Sequence, residues 1–166
     1  QNISERDVSI TTIKKIFNDI QNSKVPLKVF YHTSKGIEVN RLIPEIPEIG
    51  ISQCSSFIPF EDIAHYYRNT DVFFPTHRET QGMVAQEIAA CGGITVLQDW
   101  MYPKTTHDQF PAMLYKQNQK IDFNFISDIL SKLNKTDIRN NTLKKCGFMN
   151  FQKKLKEIIK TLFKLE

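Results

Sequence analysis

Hydrophobic residues recur at helical spacing early in the chain, at Ile10, Ile13, Ile16, Phe17 and Ile20, behind a polar, charged start from Gln1 to Ser9. That spacing predicts an amphipathic helix. Lys24 to Pro26 reads as a turn, Leu27 to Tyr31 as a strand, and His32 to Gly36 as the loop at its carboxyl end. From Arg41 to Gly50, isoleucines alternate with two prolines and with glutamates, which predicts irregular surface structure. Ser56 to Ile58 reads as a short strand. Pro59 and Phe60 then lead into a helix with Ile63, Ala64, Tyr66 and Tyr67 as inward candidates.

The clearest pattern runs from Asp71 to Leu97. Val72, Phe73 and Phe74 form a short run of strand formers ended by Pro75, and Thr76 to Thr80 is a polar loop. Gly82 opens a helical run with apolar positions at Met83, Ile88, Ala89 and Ala90, closed by Cys91. Gly92 and Gly93 give a helix stop signal, and Ile94 to Leu97 reads as a second strand. Two apolar strands bracketing a helix predict a βαβ unit, hence a parallel sheet in an α/β fold. A long connection follows from Gln98 to Gln119, with a short strand at Ala112 to Tyr115. Asp122 is placed to cap a helix carrying Phe125, Ile126, Ile129, Leu130 and Leu133. Thr136 to Cys146 reads as a helix ended by Gly147. A last helix, capped by Asn150, lines Phe151, Leu155, Ile158, Ile159, Leu162 and Phe163 on one face, with lysines on the remainder.

The candidate chemistry lies between the first of the two bracketing strands and the helix after it. The first N–H groups of a helix have no partner within it, and the helix dipole adds partial positive charge there. Such an end suits phosphate or sugar hydroxyls, and Gly82 is placed to let a ligand approach the backbone. Open α/β sheets bind ligands beyond the carboxyl ends of their strands, where this loop lies. Glu79 precedes the helix and Glu87 sits inside it, and Gly82 to Glu87 spans roughly 7–8 Å of helix rise. Two carboxylates so placed can address different parts of one elongated, hydroxyl-rich ligand.

Composition narrows the picture. The chain has 166 residues, with 40% hydrophobic and 24% charged content, as in an ordinary globular domain. We therefore expect one domain over residues 1–166. Nothing in the sequence approaches a transmembrane run or a signal peptide. Cys54, Cys91 and Cys146 are scattered without zinc spacing, which points to a reducing, cytoplasmic compartment and no metal site. The net charge of +4 suits phosphate-bearing ligands or an anionic membrane surface. The basic last helix fits either packing on a core or peripheral membrane contact. Neither a Walker A loop nor a G-x-G-x-x-G nor a nucleophile elbow is present.

The phrase Pro-Thr-His-Arg-Glu-Thr-Gln-Gly-Met-Val-Ala-Gln-Glu-Ile-Ala-Ala-Cys-Gly, with Glu79 and Glu87 in E-x7-E spacing, resembles the signature of retaining, family 4 type glycosyltransferases of the GT-B fold. Tyr66, Tyr67 and Asp71-Val-Phe resemble the phrase that precedes that signature. The resemblance covers most of the chain from about Ile10 and is sharpest from Tyr66 to Leu97. It implies a Rossmann-like parallel sheet flanked by helices, the C-terminal donor-binding half of a GT-B enzyme, with the N-terminal acceptor domain outside this sequence. It implies that Glu79 contacts the donor sugar and acts as the catalytic residue. His77, Arg78 and Thr80 would line the loop, the backbone of Gln81, Gly82, Met83 and Val84 would cradle sugar and diphosphate, and Glu87 would hold the ribose hydroxyls.

The substrate so implied is a UDP-sugar or GDP-sugar, used without a separate cofactor or metal and with no nucleic-acid partner. Its hexose would pass to a hydroxyl with retention of configuration. A GT-B nucleotide-sugar epimerase and a non-catalytic nucleotide-sugar-binding scaffold are the alternatives. One departure stands out. The family usually carries an Arg and a Lys after the first strand of this domain. Here Arg6 lies near the place of the Lys, with Asp7 where Gly is usual, and neither is assigned that role.

Overall fold

A computed structural model describes residues 5–23, 25–31, 50–53, 59–79 and 81–147, together with Gln152, Lys153, Leu155 and Glu157. In chain order the elements are α1 (Glu5–Gln21), β1 (Lys28–Tyr31), β2 (Gly50–Gln53), α2 (Phe60–Arg68), β3 (Val72–Phe73), α3 (Met83–Ala90), β4 (Ile94–Gln98), α4 (Lys104–His107), β5 (Ala112–Tyr115), α5 (Phe123–Lys132) and α6 (Lys135–Cys146). The loops at 32–36, most of the proline-rich stretch at 41–50, the expected strand at 56–58, and most of the last helix lie outside the described residues, as do Cys54 and Thr80.

All strand pairings among the described residues are parallel. β1 pairs with β2, Val29 opposite Ile51, and a second sheet runs in the order β3-β4-β5. In that sheet Val72 lies opposite Ile94, and Val96 opposite Met113. β4 is central and buried at all five of its residues. A mostly apolar run, here Ile94, Val96 and Leu97 with Thr95 and Gln98 also buried, suits a parallel strand covered on both faces. Successive side chains of a strand point to opposite faces. Val96 accordingly meets Ile16, Phe17 and Ile20 of α1, with Tyr115, Ile121, Phe123 and Ile126, in one cluster. Its neighbour Leu97 meets Ala85 and Ala89 of α3, with Met101, Tyr102 and Phe110, in a second. Leu27 and Val29, at and before β1, also pack against the first cluster, so the two sheets share that core. The result is the expected α/β, Rossmann-like arrangement, with helices on both faces of a parallel sheet.

Several local expectations are corrected. Helix α1 begins at Glu5, within the polar start. The strand pairing with β1 is Gly50–Gln53, a stretch whose one strong strand former, Ile51, gives little pattern. The long connection holds the four-residue helix α4 as well as the anticipated β5. Of the apolar positions of α3, Ile88 and Ala89 are buried and Met83 is 60% exposed, while the small Ala85 is buried as well. In α5, capped as expected by Asp122, Phe123 is buried and Phe125 is 55% exposed. No helix among the described residues is long and apolar enough to cross a membrane.

Candidate functional site

The carboxyl end of β3 runs through Phe74 and Pro75 into the loop that reaches α3, and the carboxyl end of β4 runs into Asp99 to Pro103. These two loops meet. The Glu79 N–H donates to the Met101 carbonyl at 3.0 Å, pinning the first loop to the second. Met101 and Tyr102 are themselves buried against α3, so the contact rests on the core. The loops thus lie at the strand ends where open α/β sheets bind ligands.

Gly82 is the residue on which the turn into α3 depends. It is the N-cap of that helix, with φ 63° and ψ 40°, a left-handed conformation that side-chain-bearing residues rarely adopt. It is also buried. A Cβ built there would come 2.8 Å from Tyr102 Cε2 and 3.2 Å from Thr106 Cγ2. The expected room for a ligand at this position is therefore filled by the protein's own Tyr102. The glycine lets the chain turn tightly into the helix and lets the Tyr102 ring lie against it. Gln86 then fastens the turn. Its side-chain amide donates to the Gln81 carbonyl at 2.8 Å and to Gln109 Oε1 at 2.9 Å.

Around this turn the expected residues take distinct places. His77 and Arg78 are exposed, and the His77 imidazole meets Glu79 Oε1 at 2.9 Å. Glu79 is half-buried and near Tyr102. Burial pushes the Tyr102 phenol above its ordinary value, and the Glu79 charge adds to that, so this hydroxyl stays protonated beside the carboxylate. Gln81 is exposed, and Met83 and Val84 present an exposed first turn of α3. Thr80 lies outside the described residues.

Glu87 is exposed on α3 and has a different neighbour, Tyr67 of α2. The Tyr67 pKa is pushed up to about 12, by burial first and then by the nearby Glu87 carboxylate, with Cys91 adding to the effect. The two glutamates of the motif thus have separate neighbours: Glu79 has His77 and the β4 loop, and Glu87 has Tyr67 of α2. No cluster of three metal-ligating side chains occurs among the described residues.

Sequence reasoning singled out Tyr67 as an inward aromatic but not as a neighbour of Glu87. It gave Met101, Tyr102 and Gln86 no role in the site. Tyr102 reaches the site only because β4 ends beside β3, which no local pattern reports. No family model matches the chain, and no curated protein or solved structure does.

Proposed function

We propose that this chain binds a nucleoside-diphosphate sugar at the loop before α3 and serves as the donor half of a retaining hexosyltransferase. The observation that carries the reading is the conjunction at one place of a strand-end loop, a buried left-handed Gly82 at a helix start, and two carboxylates with separate surroundings, one before that start and one on the helix.

In this reading the diphosphate lies at the N-terminus of α3. There the unpaired N–H groups and the positive end of the helix dipole favour negative charge, most of all the charge that grows on the leaving group. Glu79 accepts hydrogen bonds from sugar hydroxyls, with its own orientation set by His77 and its backbone anchored to Met101. Glu87 accepts from the ribose. Such a site accelerates transfer by holding donor and acceptor in reacting geometry and by stabilising the departing diphosphate. The acceptor hydroxyl would be presented by a second domain across the cleft.

Calorimetric titration with UDP, GDP and their hexose conjugates tests the proposal. One nucleotide base should bind, and Glu87→Ala should weaken that binding at least about tenfold, the equivalent of about 1.4 kcal/mol. Failure of every nucleotide to bind, or binding indifferent to Glu87→Ala, overturns it.

A further inference from the structure

The turn after β4 carries the single tryptophan of the chain, Trp100. It stands between Asp99 and Met101. The Met101 carbonyl accepts the Glu79 N–H at 3.0 Å, and consecutive Cα atoms lie about 3.8 Å apart. Trp100 is therefore the immediate neighbour of the residue that grips the Glu79 loop. The two side chains part company there. Met101 is buried in the core, whereas Trp100 is 39% exposed.

The exposed ring is fixed. Its indole N–H donates to Gln98 Oε1 at 2.6 Å, and Gln98 is buried at the end of β4. The backbone beneath it is closed as well. The Met101 N–H donates to the Gln98 carbonyl at 3.0 Å, and the Asp99 N–H to the Tyr115 carbonyl of β5 at 3.2 Å. The one polar atom of the indole is thus used within the protein, and the remainder of the ring is apolar. A scattered exposed apolar residue calls for no function. Trp100 differs in being held at both ring and backbone, at the strand ends where open α/β sheets take ligands. A large flat surface held in place binds at a low ordering cost.

A pyranose carries hydroxyls around its rim and C–H bonds on its faces. A carboxylate suits the rim, and an aromatic ring suits a face, where contact removes C–H surface from water. We propose that Trp100 is a sugar-stacking residue: its ring lies against the C–H face of the donor hexose while Glu79 takes the hydroxyls. This rests on the reading of the loop before α3 as a donor site. It adds to that reading the group that tells a nucleotide-sugar from the bare nucleotide.

Because the chain has one tryptophan, its emission reports directly on this residue. The test titrates the wild type with UDP, GDP and their hexose conjugates, following tryptophan emission and heat together. For the nucleotide that binds, the conjugate should shift the emission and the bare nucleotide should not. Calorimetry on two variants completes it, with a thermal melt to check the fold. Trp100→Leu keeps apolar bulk without a flat face. It should weaken the conjugate about tenfold, the scale of burying about two methylene groups, and leave the nucleotide unchanged. Trp100→Phe keeps a flat face without the N–H and should retain most of the affinity for the conjugate. A conjugate that binds without changing the emission overturns the stacking role. A shift with the bare nucleotide places the ring on another part of the ligand and overturns it too. So does an equal loss for both ligands in Trp100→Leu, which marks packing through Gln98, or no loss for either. Trp100→Phe as weak as Trp100→Leu would assign the effect to the N–H bond and not to the ring face. A wild type that binds none of the four ligands removes the donor-site reading as a whole, and this role with it.

Discussion

At Gly82 the backbone lies in the left-handed region and the Tyr102 ring occupies the space a side chain would take. Gly82→Ala must therefore accept both an unfavourable φ and an overlap with a buried ring. We expect it to destabilise the fold by about 1–3 kcal/mol, read as a lowered denaturant midpoint with an unchanged slope. A variant as stable as the wild type would mean that the turn relaxes freely, and Tyr102 would then not brace it. Tyr67 gives a prediction of another kind. In the unfolded chain its phenol titrates near the ordinary value of 10.0, and in the fold near about 12. Above the lower value the folded state holds a proton that the unfolded state has given up. Stability therefore falls as pH rises across that interval, and the contribution of Tyr67 is fully present only below it. Tyr102 and Tyr115 shift in the same direction, both chiefly through burial, and steepen the fall. Phenolate absorbance followed against pH should show a late-titrating step that Tyr67→Phe removes. A wild type in which every tyrosine titrates near its ordinary value would contradict the burial described.

Among the elements, those with strong periodicity were legible in the sequence and those defined by their neighbours were not. The largely apolar β4 and the spaced isoleucines of α1 declare themselves because each buries a continuous face. β2 exists because β1 offers it a parallel partner, which its own residues Gly50, Ile51, Ser52 and Gln53 hardly signal. Ala85 reads as weakly hydrophobic, yet its small size lets α3 approach Leu97 closely, whereas the larger Met83 points outward. The candidate site divides along the same line. Its loop, its glycine and both glutamates come from one contiguous stretch and could be read from the motif. Its neighbours Met101, Tyr102 and Tyr67 arrive from other elements through space. Phase in α5 shows how a cap decides burial. Asp122 accepts from the N–H groups of Asn124 and Phe125 at 3.0 and 3.1 Å, which starts the helix so that Phe123 and Ile126 face the core. Asp122→Ala should cost about 1 kcal/mol and speed hydrogen exchange at the Asn124 and Phe125 amides. Equal exchange in the variant would show that the helix start is fixed by Phe123 packing alone.

For the whole molecule, the question is what ties the first helix to a sheet whose strands come much later in the chain. Part of the answer is apolar, since Ile16, Phe17 and Ile20 share a core with Val96, Tyr115 and Phe123. A polar contact adds to it. The buried Asp19 carboxylate accepts the Ile121 N–H at 2.9 Å, across 102 positions of sequence, and Lys15 at 2.5 Å, while the Lys15 ammonium also lies 5.5 Å from the Tyr115 ring centre. The two partners of Asp19 are unequal. Ile121 is buried and its N–H has no route to water, so removing the acceptor strands a donor. Lys15 keeps partial solvent contact and can rehydrate. Asp19→Ala should therefore cost about 1–3 kcal/mol. Lys15→Ala, which breaks a partly exposed pair, should cost about 0–1 kcal/mol. Denaturant melts of the two variants measure the contrast. Equal costs would mean that the Ile121 contact adds nothing beyond the ion pair within α1, and that apolar packing alone joins α1 to the sheet. Because α1 braces the sheet from the face opposite α3, Asp19→Ala should also leave nucleotide affinity unchanged at temperatures well below its melt. A loss of affinity there would place α1 in mechanical contact with the loop ends of β3 and β4, and would make its docking part of the site.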